Sequence, residues 1–165
     1  TAAYTAGAAN KDIPYAMNLT MLQMFGEFGG SGVTIGLVIA IFIFSKREDN
    51  RTIAGISIVP GLFNINETMT FGIPLVLNPI LDIPFILAPV VTLVVGYLLV
   101  SSGFCPKIVL EVPWTMPPVF LGFLATGGSP MGAVSQLIVI ALSVVIYTPF
   151  LIAYEKYQAK QSEAE

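Results

Sequence analysis

Histidine is absent from the 165 residues, and cysteine occurs once, at Cys105. The first absence removes the commonest catalytic base and metal ligand. The second excludes an internal disulfide and any multi-cysteine metal site, so no metal or other cofactor is expected. Charge is also scarce: 10% of residues are Asp, Glu, Lys or Arg, against about 25% in soluble domains. The net charge of −3 is carried with no basic stripe, which leaves no footprint for a nucleic-acid partner. What fills the chain is apolar, 55% hydrophobic with a mean hydropathy of +0.83. The lipid bilayer is therefore its expected surroundings. The start, Thr-Ala-Ala-Tyr, has neither an initiator Met nor the basic and apolar regions of a signal peptide, and reads as the interior of a longer polypeptide.

Three uncharged windows are long enough to cross, at about 28–45, 83–106 and 131–153. The stretch 112–130 is broken by Pro113, Pro117, Pro118, Gly127 and Gly128 and predicts a half-helix and loop. The expected fold is all-α and integral to the membrane, with about three transmembrane helices, a re-entrant hairpin and proline-broken half-helices. Lys46, Arg47 and Arg51 flank one loop, while Lys156 and Lys160 follow the last span. The positive-inside rule places that loop and the C-terminus in the cytoplasm. Residues 155–165 then form a polar, fraying tail. Pro74, Pro79, Pro84 and Pro89 recur every five residues, so no smooth helix is expected across them.

Against this background Glu67 stands out. It is the only charge between Arg51 and Asp82, within the polar cluster Asn64-Ile65-Asn66-Glu67. The uncharged arms on either side, Thr52 to Asn66 and Thr68 to Leu81, hold 15 and 14 residues, too few to span a bilayer singly. They predict a re-entrant hairpin over about 52–81 that carries a polar tip to membrane depth, where irregular backbone must line a cavity or be buried in protein. An isolated intramembrane carboxylate usually faces a cavity or a partner. In an extended tip, Asn64 and Asn66 would point the same way. Amides beside a carboxylate both donate to and accept from hydroxyls, which suits a sugar. Glu67 can equally be an internal tie in a structural or interaction bundle, or carry the proton of a proton-coupled transporter. Trp114, the only tryptophan, is either an interfacial belt residue or a ring stacked on a sugar face. Gly26-x3-Gly30 and Gly32-x3-Gly36 fit close helix contacts, or a backbone brought near a ligand.

The segments Gly61-Leu-Phe-Asn-Ile-Asn-Glu67, Phe71-Gly-Ile-Pro-Leu-Val-Leu-Asn-Pro79 and Ile83-Pro-Phe-Ile-Leu-Ala-Pro89 resemble the membrane component (enzyme IIC) of the lactose/cellobiose/diacetylchitobiose class of phosphotransferase-system sugar permeases. Gly29-Gly-Ser-Gly32, Pro113-Trp-Thr-Met-Pro-Pro118 and Gly122-Phe-Leu-Ala-Thr-Gly127 look like further family blocks. The resemblance covers nearly the whole chain and matches only the family's C-terminal, substrate-binding domain. It implies a bacterial plasma-membrane protein that binds and translocates a β-linked disaccharide and presents its 6-hydroxyl to cytosolic enzyme IIB for phosphorylation. No residue of this chain would itself carry the phosphoryl group. It also implies homodimerisation through an N-terminal domain preceding residue 1. The family's sugar-contacting glutamate falls on Glu67, its neighbouring asparagine on Asn66 and its tryptophan block on Trp114. A family histidine near the sugar has no match in a chain without His.

Overall fold

The computed structural model describes residues 18–75 and 77–162. The chain start at 1–17, the last three residues of the expected tail, and Val76 within the expected hairpin lie outside the described residues. All regular structure among them is helical: α1 (Leu19–Gly26), a 3-10 turn (Ser31–Val33), α2 (Ile35–Phe44), α3 (Glu48–Leu62), α4 (Glu67–Gly72), α5 (Asp82–Ser101), α6 (Phe120–Ala125) and α7 (Pro130–Ser162). This is an all-α integral-membrane architecture. Two helices, α5 and α7, are long and apolar enough to cross a bilayer. A third crossing is available only as a bent unit, Leu19–Val33 with Ile35–Phe44, which meet at 61°.

The bend has a local cause. Within the window 28–45 the uninterrupted helix is only the ten residues of α2, about 15 Å long against a hydrocarbon core of about 30 Å. Helix geometry is lost at Gly29, Gly30 and Gly32, all with φ between 74° and 86°. Gly36 brings α2 against α7, where a Cβ would overlap Ser143.

The proline periodicity acts differently from expectation. Helix α5 runs unbroken through both Pro84 and Pro89. Pro84 sits in the first turn, where an N–H would lack an intrahelical partner anyway. Pro89 leaves the Phe85 carbonyl without its usual donor and is carried within the helix, where Thr92 one turn on donates its hydroxyl to the Ala88 carbonyl at 2.9 Å. The irregular stretch falls instead between α4 and α5. The window 131–153 lies inside α7, whose 33 residues extend about 50 Å. The helix therefore continues to Ser162, through most of what was expected to be a fraying tail.

Helix α7 is the common partner, packing against α2, α5 and α6. The core between them holds Met24, Phe25, Phe28, Leu37, Ile41, Leu121 and Tyr147, all at 1% exposure or less. Ile86, Val90, Val94 and Leu98 on α5, and Leu137 and Val145 on α7, point outward, as lipid-facing side chains do. The 112–130 stretch forms the six-residue α6 and flanking loops. Its entry is fixed by buried Gln136 of α7. The Gln136 Oε1 accepts from Val119 N–H (2.7 Å) and Gly122 N–H (2.9 Å), and Nε2 donates to the Met24 carbonyl (3.1 Å). Val119 has φ 75°, an outlier for a β-branched residue that the Gln136 bond helps to hold.

Candidate functional site

Three interruptions of helix meet at one place: the Gly29–Gly32 bend, the hairpin tip between α3 and α4, and the Trp114 loop. Helix α3 contains Pro60 and stops at Leu62. The tip closes as a turn, with the N–H groups of Phe63, Asn64 and Ile65 donating to the carbonyls of Pro60, Gly61 and Pro60. Asn64 takes φ 63°, a left-handed conformation that Asn tolerates because its short side chain bonds locally. Asn66 has φ −119° and ψ 10°, so the tip is a turn and not the extended segment expected. The two asparagines still reach one cavity.

Their side chains act differently there. The Asn64 Oδ1 accepts from Gly29 N–H at 2.6 Å. Its Nδ2 donates to the Trp114 carbonyl and, at 3.4 Å, to that of Met116. One amide thus joins all three interruptions. Asn66 Nδ2 donates to the Ser31 carbonyl at 2.7 Å, while its Oδ1 makes no hydrogen bond among the described residues. The approach is close because Gly30 has no side chain; a Cβ there would stand 2.5 Å from Asn66 Cγ. Tyr147 of α7 donates to the Gly32 carbonyl at 2.6 Å and Thr34 to that of Gly29 at 2.6 Å, so the bend is held from beneath.

The cavity enclosed by these segments measures about 210 Å³ and is lined by Gln23, Glu27, Gly30, Ser31, Asn64, Asn66, Glu67 and Trp114. Glu67, Asn66, Asn64 and Trp114 are the residues singled out from the sequence, and they come together here. Glu67 opens α4 and, like Glu27, is exposed in this chain. Neither carboxylate has an ion-pair or hydrogen-bond partner among the described residues. The Gln23 amide and the Ser31 hydroxyl are likewise unengaged. Trp114 is 54% exposed and presents its ring beside these groups. Gln23, Glu27 and Ser31 were not picked out from the sequence. A signal for Glu27 existed: it is the only charge between Asp12 and Lys46, the same isolation that marks Glu67. No group of three or more metal-ligating side chains occurs among the described residues. The cavity offers carboxylates, amides, a hydroxyl and one aromatic face, an inventory for binding polyhydroxylated solutes.

Comparison with known proteins bears on this site. The sequence profile of the family described as "Phosphotransferase system, EIIC" matches residues 1–89. The chain is 40% identical over 154 residues to the lichenan permease IIC component of Bacillus subtilis (strain 168), covering 93% of this chain and 34% of that protein. It is 42% identical over 134 residues to the cellobiose-specific EIIC component of Lactococcus lactis subsp. lactis (strain IL1403), covering 81% and 27%. Among solved structures, the crystal structure of the transporter ChbC, the IIC component from the N,N'-diacetylchitobiose-specific phosphotransferase system, superposes with a TM-score of 0.91. The identity is 38%, over 99% of this chain and 38% of that one. The chain spans about a third of the length of the curated relatives it matches.

Proposed function

The chain belongs to the phosphotransferase-system EIIC family, and on that premise we propose that it forms the sugar-binding part of a permease that imports a β-linked disaccharide and delivers it for phosphorylation. The observation that carries this reading is the cavity itself. Unengaged carboxylates, an amide oxygen, an amide and a hydroxyl surround one exposed tryptophan ring, on backbone fixed from behind. Similar proteins are described as lichenan, cellobiose-specific, oligo-beta-mannoside-specific and N,N'-diacetylchitobiose-specific components, which supports an oligosaccharide as the cargo. The 210 Å³ volume is below the roughly 300 Å³ at which ligand pockets usually begin. The eight lining residues are thus one wall of a larger site, completed by the rest of the polypeptide. That also accounts for a carboxylate exposed in this chain and enclosed in the full protein.

In this reading Glu67 accepts a hydrogen bond from the sugar's 6-hydroxyl. As the phosphoryl group leaves the cysteine sulfur of enzyme IIB, its bond to O6 forms, the hydroxyl proton passes to Glu67 and the sulfur departs as thiolate. General-base help of this kind is worth about 10²–10⁴-fold. The charge added to the sugar weakens its return to the apolar path and traps the product. Asn66 offers its free oxygen to a neighbouring hydroxyl, and Trp114 stacks on the ring. Asn64, whose amide is occupied by protein at both ends, positions the walls. The C-terminus and the Lys46–Arg51 segment that leads into α3 lie on the cytoplasmic side, and subunits pair through a domain preceding this one.

The test is Glu67→Gln in the full-length transporter, with purified enzyme IIB and its phosphoryl donors. Sugar phosphorylation should fall about 10²–10⁴-fold while the protein remains folded. Near-normal phosphorylation would sink the assignment. Uptake driven by a proton gradient without enzyme IIB would identify a different kind of transporter.

A further inference from the structure

A second cavity, about 500 Å³, opens at the other end of the bundle, where the C-terminus of α2 lies beside the last turns of α7. Its walls divide by chemistry. Phe44 and Ile152, 46% and 41% exposed, form an apolar face that continues the outward-facing side of the helices. Lys46, Arg47 and Lys156 stand at its rim with Glu155. The acid is already engaged: its carboxylate accepts from the Ser45 hydroxyl, from Asn50 Nδ2 at 3.0 Å and from Lys46 N–H at 3.5 Å. The Lys46 and Lys156 ammonium groups have no ion-pair partner among the described residues. Arg47 pairs with the exposed Asp49 at 3.6 Å.

We propose that this cleft is a binding site for an anionic phospholipid of the surrounding bilayer. The phosphodiester would sit among Lys46, Arg47 and Lys156, and an acyl chain would lie along Phe44 and Ile152. Basic pockets between transmembrane helices hold acidic headgroups in this way, and each cation near an anionic headgroup contributes about fivefold in affinity. The continuity of the apolar wall with the lipid-facing surface selects a lipid over a water-soluble protein. A soluble partner would meet the cations and leave Phe44 and Ile152 uncovered.

The experiment uses the purified full-length transporter in detergent, with phosphatidylglycerol or phosphatidylcholine added and bound lipid counted by native mass spectrometry. The unaltered protein should retain phosphatidylglycerol preferentially. Lys46→Gln with Lys156→Gln should lower that retention about tenfold or more, with enzyme IIB-dependent phosphorylation in lipid-free detergent unchanged. Lys46→Arg with Lys156→Arg should restore retention, and Lys107→Gln, outside the cleft, should not alter it. Equal phosphatidylglycerol retention by the Gln pair would overturn the proposal. So would a Gln pair that keeps its lipid and loses phosphorylation, which would assign these cations to a protein partner.

Discussion

Gly30→Ala isolates how much of the proposed sugar site depends on backbone that only glycine can adopt. Gly30 has φ 86° and ψ −175°, a region essentially closed to other residues, where a side chain costs about 1–3 kcal/mol. The new methyl would also stand 2.5 Å from Asn66 Cγ and 2.7 Å from its Cβ and Oδ1. Asn66 must shift, and its 2.7 Å bond to the Ser31 carbonyl is lost at about 0.5–1.5 kcal/mol. The two effects sum to about 1.5–4.5 kcal/mol against the binding-competent arrangement. At 1.4 kcal/mol per factor of ten, sugar affinity should fall between about tenfold and a thousandfold. The assay is calorimetric titration of the sugar into the full-length protein. Gly55→Ala is the matched control. It lies in α3 with nothing within 4 Å of the added Cβ, and should leave affinity unchanged while stabilising the helix by about 0.5–1 kcal/mol. Affinity within twofold of the unaltered protein for Gly30→Ala would show that the bend does not shape the site.

Two further outcomes concern the scaffold. Gln136→Leu strands the Val119 and Gly122 N–H groups and the Met24 carbonyl, each worth about 1–3 kcal/mol when buried without a partner. The thermal midpoint of the purified transporter should drop by several degrees, and an unchanged midpoint would refute the role given to this amide. Cys105 is fully buried beyond the end of α5, with its thiol turned to the Pro106 carbonyl. Reactive cysteines are partly exposed, and a buried structural one is inert. Iodoacetamide should therefore spare Cys105 in the native protein and label it after denaturation; rapid native labelling would contradict the packing.

That Glu67 lines a polar cavity was legible in the sequence because isolation of a charge within apolar arms is a one-dimensional signal. The long apolar crossings α5 and α7 were legible for the same reason. The first crossing was not, since a window of uncharged residues does not reveal that positive-φ glycines divide it into two bent pieces. Proline spacing overstated the disruption near α5: a proline in a first turn removes nothing the helix uses, so Pro84 is harmless there. The distinction between Asn64 and Asn66 was beyond reach from sequence. Both are amides two positions apart, and only the tertiary arrangement of the Gly29 N–H and the Trp114 and Met116 carbonyls decides which one is engaged by protein.

That arrangement has a consequence for transport. Alternating access is largely rigid-body movement of one unit against another around a fixed site, so walls that hold a sugar, as proposed above, must travel together. Loops at helix breaks would ordinarily move independently, because each lacks regular hydrogen bonding of its own. Here one amide, Asn64, bonds the glycine bend and the tryptophan loop from the hairpin tip, and Tyr147 anchors the bend to the longest helix. The unengaged groups, Glu27, Ser31, Asn66 Oδ1 and Glu67, are borne on segments linked in this way or adjoining them. The ties make three interruptions behave as one wall, and the chemistry is left to the side chains that they do not use.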